Sequence, residues 1–324
     1  RLYGGDGVDR VSYAALGGGV QVNLGAGVSW DGVSNQFLDS IENATGSAYA
    51  DYLAGSAVAN VLNAGAGNDT VYGLEGDDTL HGDDGDDLLE GGDGNDTLYG
   101  DAGDDVLNGG AGTNWLYGGD GIDRVTYASS STGVQVNLGT GISWDGVSNQ
   151  FLDSIENATG SYHADYLAGS AVANMLSGGA GDDPIDGDAG DDILEGGAGN
   201  DTLHGGLGND ILDGGSGTNW LYGGAGVDRV TYANSSTGVQ LDLGAGVSWD
   251  GVSNQFLDSI ENATGSAHDD YLVGSAADNE LHGGDGNDAL YGQAGDDTLY
   301  GGAGNDLLDG GGGTNRLYGG EGVD

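Results

Sequence analysis

The sequence predicts an all-β fold, a right-handed parallel β-solenoid of the β-roll or β-helix type, in which two nonapeptides form one coil. Three observations predict it. A nine-residue pattern, Gly-Gly-x-Gly-x-Asp-x-aliphatic-x, recurs through most of the 324 residues. The eighth position of each copy is Val, Leu or Ile. Three longer segments interrupt the pattern at similar spacings, and they predict three wider inserted β segments.

The nonapeptide GGDGNDTLY at 91–99 shows the pattern in near-ideal form, and we number its positions one to nine. Position four is glycine in every copy, which predicts a backbone conformation that only glycine adopts at low cost. Position eight is aliphatic between mixed neighbours, which is typical of a short strand with one inward side chain. Each nonapeptide therefore predicts a six-residue turn followed by a three-residue strand.

Stacked coils bring the acidic side chains of position six together. Parallel strands about 4.8 Å apart align their turns, so position six forms two columns of carboxylates. Carboxylates and backbone carbonyls provide the all-oxygen shell of six to eight ligands that calcium takes. The chain has no cysteine and no regular histidine pattern, so zinc or copper is a poor fit. The predicted calcium ligands are Asp9, Asp69, Asp78, Asp87, Asp96, Asp105, Asp123, Asp183, Asp192, Asp201, Asp210, Asp228, Asp288, Asp297, Asp306 and Asp324.

Asparagine replaces aspartate at position six in the nonapeptides near the block ends. Asn114, Asn219 and Asn315 can offer a carbonyl oxygen but carry no charge, so we predict weaker calcium ligands there. The following copies restore aspartate and place arginine at position seven, as in Asp123 and Arg124. We expect these arginines to pair with nearby aspartates.

With its recurring GGxGxDxUx nonapeptides, the chain resembles the RTX (repeats-in-toxin) calcium-binding β-roll proteins along most of its length. The resemblance implies many calcium ions, about one per nonapeptide. It also implies export of the unfolded chain through a type I secretion channel, followed by folding outside the cell. The C-terminal signal used for that export is not present, and both ends lie within the repeat pattern, so we expect a segment of a longer protein.

The charge of the chain predicts that calcium drives folding. Charges about one strand apart repel by about 0.9 kcal/mol in bulk water and by more at a protein surface. Summed over roughly fifteen stacked neighbours, this repulsion equals or exceeds the stability of about 5 to 15 kcal/mol that is usual for a domain. With 53 acids against 5 bases, a net charge of −48 and 72 glycines, the metal-free chain is expected to be expanded and disordered.

Comparison of the chain with itself predicts three repeat units. The segment SWDGVSNQFLDSIENATGS occurs three times, and the units differ in length by whole nonapeptides. The predicted boundaries are 1–12 for the end of a preceding block; 13–126 for unit one (insert 13–36, degenerate coils 37–63, nonapeptides 64–126); 127–231 for unit two (insert 127–150, degenerate coils 151–177, nonapeptides 178–231); and 232–324 for unit three (insert 232–255, degenerate coils 256–282, nonapeptides 283–324).

The degenerate coils keep the nine-residue register, and we expect them to stack but to hold calcium weakly or not at all. The inserts contain an alternating strand, GVQVNL in the first copy, and should form a wider coil or a lateral hairpin. We expect their aromatic side chains to cap the thin core. The alternative is a carbohydrate- or partner-binding patch around Trp30, Trp144 and Trp249.

Catalytic motifs are missing from the sequence. It has no G-x-S-x-G, no H-E-x-x-H and no cysteine nucleophile, and its five histidines do not recur in every unit. Its acidity disfavours nucleic acid as a partner, and it has no apolar run long enough to span a membrane. We therefore expect a protein that is not an enzyme.

These observations favour a calcium-binding structural repeat segment of a large secreted or cell-surface bacterial protein, acting as a stalk, an adhesin or an extracellular filament or matrix. The chain would then be extracellular, where calcium is near millimolar. One alternative is the calcium-binding accessory or secretion module of a type I-secreted enzyme such as a protease, lipase or epimerase. Another is a carbohydrate-binding module. Besides calcium, the expected partners are copies of the chain itself or a surface polysaccharide.

Overall fold

Short β-strands and turns make up the whole chain in the computed structural model, which describes residues 1–324 and contains no helix. The all-β prediction is confirmed. The chain divides into two compact units, Arg1–Thr159 and Gly160–Asp324, and each is described by itself. The boundary between them falls within the second stretch of degenerate coils.

The first unit contains nineteen strands: β1 (Leu2–Tyr3), β2 (Arg10–Ser12), β3 (Gln21–Asn23), β4 (Val28–Trp30), β5 (Asn35–Asp39), β6 (Asn43–Thr45), β7 (Tyr52–Ser56), β8 (Val61–Ala66), β9 (Thr70–Glu75), β10 (Thr79–Asp84), β11 (Leu88–Asp93), β12 (Thr97–Ala102), β13 (Val106–Ala111), β14 (Trp115–Asp120), β15 (Arg124–Thr126), β16 (Gln135–Asn137), β17 (Ile142–Trp144), β18 (Asn149–Asp153) and β19 (Asn157–Thr159).

The second unit contains eighteen strands: β20 (Tyr166–Ser170), β21 (Met175–Ala180), β22 (Pro184–Asp188), β23 (Ile193–Ala198), β24 (Thr202–Leu207), β25 (Ile211–Asp213), β26 (Trp220–Ala225), β27 (Arg229–Thr231), β28 (Gln240–Asp242), β29 (Val247–Trp249), β30 (Asn254–Asp258), β31 (Asn262–Thr264), β32 (Tyr271–Val273), β33 (Glu280–Asp285), β34 (Ala289–Tyr291), β35 (Thr298–Ala303), β36 (Leu307–Asp309) and β37 (Arg316–Glu321).

Each unit is a stack of coils with two parallel ladders. In the first unit β6, β8, β10, β12 and β14 pair in one ladder, and β7, β9, β11, β13 and β15 pair in the other. Leu80 pairs with Leu62 and with Leu98, one coil before and one coil after it. The second unit repeats this arrangement, for example through β21, β23 and β25. The prediction of two nonapeptides per coil is confirmed.

The core of each coil contains one aliphatic side chain from each strand. Position-eight residues such as Leu80, Leu89 and Leu98 are 0% exposed, whereas their neighbours at positions seven and nine are partly exposed. Full burial of such a side chain contributes about 1.5 to 3 kcal/mol. Because each coil buries only two of them, its stability depends on its neighbours along the stack.

The turns explain why position four is always glycine while position two is not. Position-four glycines have φ between 104° and 155°, a region open almost only to glycine, and a Cβ on Gly94 would lie 1.8 Å from the carbonyl oxygen of Gly76. Position two also has positive φ. Its non-glycine residues lie at φ 68° to 84°, nearer the left-handed α region, which other residues can enter. They are Leu74, Asp83, Asp101, Asp188 and Gln293.

Each insert forms a three-stranded antiparallel sheet within one ladder, rather than a wider coil or a lateral hairpin. In the first insert β3 pairs with β4 and β4 with β5, both antiparallel, while β3 and β5 pair in parallel with β7 and β1. The strands span 21–39, so the third one begins within the predicted insert and extends into the stretch that the sequence assigned to degenerate coils. Strands β16–β18 and β28–β30 repeat this arrangement.

The prediction that the insert aromatics cap the core is confirmed for Tyr13, which is buried, and wrong for Trp30. On β4 the inward side chain is Ser29, which is 3% exposed, whereas Trp30 is 42% exposed on the outer face. The Ser29 hydroxyl bonds to the hydroxyl of Tyr13, the buried first residue of the insert. Strand alternation places serine inward and tryptophan outward, so Tyr13 fills the core in place of the tryptophan.

Candidate calcium-binding turns

The position-six aspartates lie at the end of each turn, and all except Asp9 and Asp324 are almost completely buried. One carboxylate oxygen, Oδ1, accepts a hydrogen bond from the backbone of the preceding coil. The N–H of Asp78 donates to Asp96 Oδ1 at 2.8 Å, and the N–H of Asp87 donates to Asp105 Oδ1 at 2.8 Å. Each bond joins residues 18 positions apart. Position six therefore forms two columns in each stack, as predicted.

The second oxygen of these carboxylates, Oδ2, has no hydrogen-bond partner. A buried polar atom without a partner is rare and costs about 1 to 3 kcal/mol, and more if it is charged, so the recurrence of this oxygen fits a ligand for a cation. Fifteen position-six aspartates have an Oδ2 atom without a hydrogen-bond partner: Asp9, Asp69, Asp78, Asp87, Asp96, Asp105, Asp123, Asp183, Asp192, Asp201, Asp210, Asp228, Asp288, Asp297 and Asp306.

The space beside each free oxygen exists because position one is glycine. A Cβ on Gly91 would lie 2.4 Å from Asp96 Oδ2 and 2.6 Å from the carbonyl oxygen of Gly109. A side chain at this position would therefore fill the space between a carboxylate of the same turn and a carbonyl of the next coil. Gly100 has the same relation to Asp105 Oδ2 and the carbonyl oxygen of Gly118.

The donor atoms at these turns fit calcium. No group of three or more His, Cys, Asp or Glu side chains comes together anywhere in residues 1–324, so side chains alone do not complete a metal site. The other ligands would have to be backbone carbonyls of the glycine turns. One carboxylate with several carbonyls is an oxygen-only set that suits a hard cation of flexible coordination. Bound calcium would supply the positive charge that the buried carboxylates lack.

Burial strongly perturbs the protonation of the position-six aspartates. It raises the pKa of Asp69 and Asp105 to about 7 and the pKa of Asp96 to about 6, and the hydrogen bond from the preceding backbone N–H only partly offsets it. Neighbouring carboxylates of the stack raise these pKa values further. The turns thus hold charged groups that are poorly solvated until a cation binds.

The position-six asparagines differ from the aspartates in the atom that lies beside the position-one glycine, which is a nitrogen instead of an oxygen. Asn114 Oδ1 accepts the N–H of Asp96 at 2.7 Å, as an aspartate would. Its Nδ2 takes the place of the free oxygen and donates to the carbonyl oxygen of Gly110 at 3.3 Å. Asn219 Nδ2 donates to the equivalent position-two carbonyl oxygen, that of Gly215, at 3.4 Å and also to the carbonyl oxygen of Gly214 at 2.6 Å. Weaker calcium binding at Asn114, Asn219 and Asn315 stays a prediction.

The last predicted ligand, Asp324, is exposed at the end of the chain. Its Oδ1 accepts the N–H of Asp306 at 3.1 Å, so it occupies the same place in the column as the other position-six aspartates. Its part in binding calcium also stays a prediction.

Sequence reasoning missed the role of position five. The Oδ1 of Asp77 accepts both the backbone N–H and the side-chain N–H of Asn95, one coil later, at 2.8 and 3.2 Å. Asp104 Oδ1 accepts the N–H of Ile122 at 2.8 Å. The sequence does contain a pattern that indicates this role. Position five is Asn or Asp within the first block, and at the end of that block it is Thr113 and then Ile122, which have no side-chain amide or carboxylate oxygen to accept the hydrogen bond.

The expected pairing of arginine with aspartate is wrong for Arg229. Its guanidinium contacts Glu280 Oε1 at 2.6 Å and donates to Thr264 Oγ1 at 3.0 Å. Stacking brings position seven next to strand residues of later coils, and glutamate occupies one of those positions. This surface contact contributes little to stability, on the order of 1 kcal/mol or less.

Stacked coils with columns of buried, half-satisfied carboxylates define a calcium-binding β-solenoid. The model of the RTX calcium-binding nonapeptide repeat, which describes four copies of the repeat, matches residues 45–80, 55–89, 90–125, 159–194, 168–203, 195–230, 264–299 and 291–324. These matches cover about two thirds of the chain, and the protein belongs to this family. No curated protein matches the sequence. The structure has no helix that is long and apolar enough to cross a membrane.

Proposed function

We propose that this chain is a calcium-stiffened structural segment of a large secreted or cell-surface bacterial protein, serving as a stalk, an adhesin body or part of an extracellular filament or matrix, without enzymatic activity. The observation that carries the proposal is the recurrence of the free Oδ2 atom at fifteen position-six aspartates. Calcium binding at so many turns of a repeated stack supports a mechanical role.

Electrostatics connects calcium binding to stiffness. Without a cation, each stack holds buried carboxylates one coil apart, and these repel one another. A ligand that binds only the stacked state stabilises that state by its binding free energy. Extracellular calcium, near millimolar, would therefore keep the coils stacked, whereas low calcium inside the cell would leave the chain free for export.

Single-molecule stretching tests the mechanical role. In calcium, the chain is expected to resist extension until stacked coils open, whereas in chelator its nonapeptide blocks are expected to extend as flexible coils. Labelling of intact bacterial cells with an antibody against the segment tests its location. Extension at low force in calcium, or label only after permeabilisation, would contradict the proposal.

The competing function is that of an accessory or secretion module for a type I-secreted protease, lipase or epimerase. It is favoured by family membership, because calcium-driven folding also serves export. The full-length coding sequence discriminates: many further repeat units favour a stalk or filament, and a catalytic domain with its characteristic motif favours the enzyme.

A carbohydrate-binding role is favoured by the outer face of the inserts. Trp30, Trp144 and Trp249 are 40 to 42% exposed on their strands. Trp249 pairs across the sheet with Gln240 and Asn254, so its ring lies beside amide groups. An exposed aromatic ring next to amides suits the apolar and polar faces of a sugar.

A glycan array with calcium-loaded protein tests this role. The Trp30→Ala, Trp144→Ala and Trp249→Ala triple variant is expected to lose the glycan signal. The matched control, Val33→Ala, Val147→Ala and Val252→Ala, alters side chains that are 83 to 91% exposed in the same inserts and is expected to keep it. No signal with the wild-type protein would remove this candidate.

A further inference from the structure

The degenerate coils contain a second kind of turn, distinct from the calcium-binding turn. Their nonapeptides begin Gly-Ser instead of Gly-Gly, as at Ser47 and Ser56. Position four holds Tyr49 or Val58 in place of glycine. None of these four residues has positive φ, although positions two and four both have it in the calcium-binding turns. The backbone of the two turns therefore differs, and not only their side chains.

In these turns the serine donates to the position-six side chain. The N–H of Ser47 donates to Asp51 Oδ2, and its hydroxyl donates to Asp51 Oδ1 at 2.9 Å. The N–H of Val20 also donates to Asp51 Oδ1, at 2.6 Å. Both carboxylate oxygens of Asp51 are therefore satisfied within the protein, whereas one oxygen of Asp69 in the next coil is free.

The same clamp occurs in all six Gly-Ser nonapeptides. The N–H and the hydroxyl of Ser56 both donate to Asn60 Oδ1, at 2.6 and 3.2 Å. The remaining copies join Ser161 to Asp165, Ser170 to Asn174, Ser266 to Asp270 and Ser275 to Asn279. The serine bonds to position six in all six copies, whether that position is aspartate or asparagine, so this contact is a regular feature of the Gly-Ser turns.

Beyond the first and second nonapeptide blocks, the insert supplies a different donor. Gln150 is 1% exposed, and its Nε2 donates at 3.1 Å to the carbonyl oxygen of Gly110, a position-two residue of the Asn114 turn. The hydroxyl of Tyr127 donates to Gln150 Oε1 at 3.4 Å. Gln255, Gly215 and Tyr232 repeat these contacts in the second unit. The glutamine side-chain amides thus donate to one backbone carbonyl in each of the two asparagine turns.

We propose that Ser47 and its five counterparts take the place of calcium in their turns, so that the degenerate coils and the inserts form metal-independent segments between the calcium-binding blocks. Serine provides two donors to the position-six side chain. Where that side chain is aspartate, as at Asp51, the donors use both carboxylate oxygens, and where it is asparagine, as at Asn60, they use its single oxygen, so neither leaves the free oxygen that a cation requires. In this arrangement the blocks lose their stacked structure when calcium is removed, while the segments at 13–63 and 232–282 keep theirs. These segments then serve as folded ends on which each block stacks.

Restoring the glycines of one clamp tests the proposal in the full chain. The double variant Ser47→Gly, Tyr49→Gly gives the turn the position-two and position-four glycines of a calcium-binding turn and frees Asp51. It is expected to bind more calcium per molecule than the wild type, measured by equilibrium dialysis or native mass spectrometry. The matched control Ala48→Gly, Tyr49→Gly adds two glycines to the same turn but keeps Ser47. It is expected to match the wild type. An unchanged calcium count in the first variant overturns the proposal.

Amide hydrogen exchange of the wild-type chain provides a measurement without any variant. In chelator, the amides of Ser47 and Ser56 are expected to exchange about tenfold more slowly, relative to their intrinsic rates, than those of Gly94 and Gly103 in the calcium-binding turns. In calcium, both sets are expected to be protected. Equal loss of protection in both sets after chelation overturns the proposal, because the clamped turns would then depend on calcium as much as the blocks do.

Discussion

The Oδ1 atom of Asp96 accepts the backbone N–H of Asp78 at 2.8 Å, while its Oδ2 atom, in the same buried carboxylate, has no partner. One side chain thus has two separable tasks. Oδ1 holds two successive coils together, and Oδ2 remains for a cation. Asparagine at position six keeps the first task and puts an amide nitrogen in the place of the second oxygen, as at Asn114.

Asp96→Asn is expected to weaken calcium binding with little change in the stacking of the coils. The calcium concentration at the folding midpoint should rise, and the calcium-loaded protein should lose about 1 to 3 kcal/mol of unfolding free energy, because a buried charged ligand is lost. Calcium titration and denaturant unfolding measure these effects. Asp93→Asn removes the same charge from an exposed position three and should change both values much less. Equal effects of the two substitutions would show that net charge alone matters.

Gly94→Ala is expected to be among the most destabilising single substitutions. Gly94 has φ 155°, and the new Cβ would lie 1.8 Å from the carbonyl oxygen of Gly76. Strain of this kind costs about 1 to 3 kcal/mol before the clash is counted. Gly18→Ala is the control, because a Cβ there has nothing within 4 Å. Thermal unfolding in calcium should separate the two variants; a Gly94→Ala protein as stable as Gly18→Ala would contradict the turn geometry.

Tyr232→Phe is expected to destabilise the third insert by about 1 to 3 kcal/mol, because the buried Ser248 and Gln255 would lose a hydroxyl partner. Hydrogen exchange of strands β28–β30 should rise. Tyr222→Phe is the matched control, since that tyrosine stacks on His204 with ring centroids 4.5 Å apart and keeps this contact without its hydroxyl. If both variants exchange like the wild type, the hydroxyl cluster does not hold the insert.

Acid is expected to promote stacking of the metal-free chain. Burial raises the pKa of Asp69, Asp78 and Asp201 to about 7, well above the value of about 3.9 for an unfolded aspartate. The stacked state therefore binds protons more tightly than the unfolded state. Its stability is greatest at low pH and falls as the pH rises through about 6 to 7.

In chelator, β content measured by circular dichroism should therefore be higher at about pH 5 than at about pH 8. With calcium present, acidification should weaken calcium binding, because protons compete with the ion for the same carboxylate oxygens. A β content of the metal-free chain at about pH 5 that is equal to or lower than that at about pH 8 would contradict the raised pKa values.

The sequence predicted the coils and the two columns of position-six side chains, because the period of nine aligns equivalent residues without any further information. It predicted less well where that period ends. The alternation of Val20, Val22 and Leu24 indicated a strand, and all three are buried, but local alternation does not specify an antiparallel partner. The Ser47 clamp and the Gln150 contact join residues of different sequence spacing, so no single period reveals them.

A circular-dichroism titration at mildly alkaline pH, with calcium and with magnesium as control, tests the central claim most directly. Calcium is expected to convert the nonapeptide blocks cooperatively from coil to β structure. Magnesium should not, because it requires near-ideal octahedral geometry and dehydrates reluctantly. A β content in chelator equal to that in calcium would contradict the account.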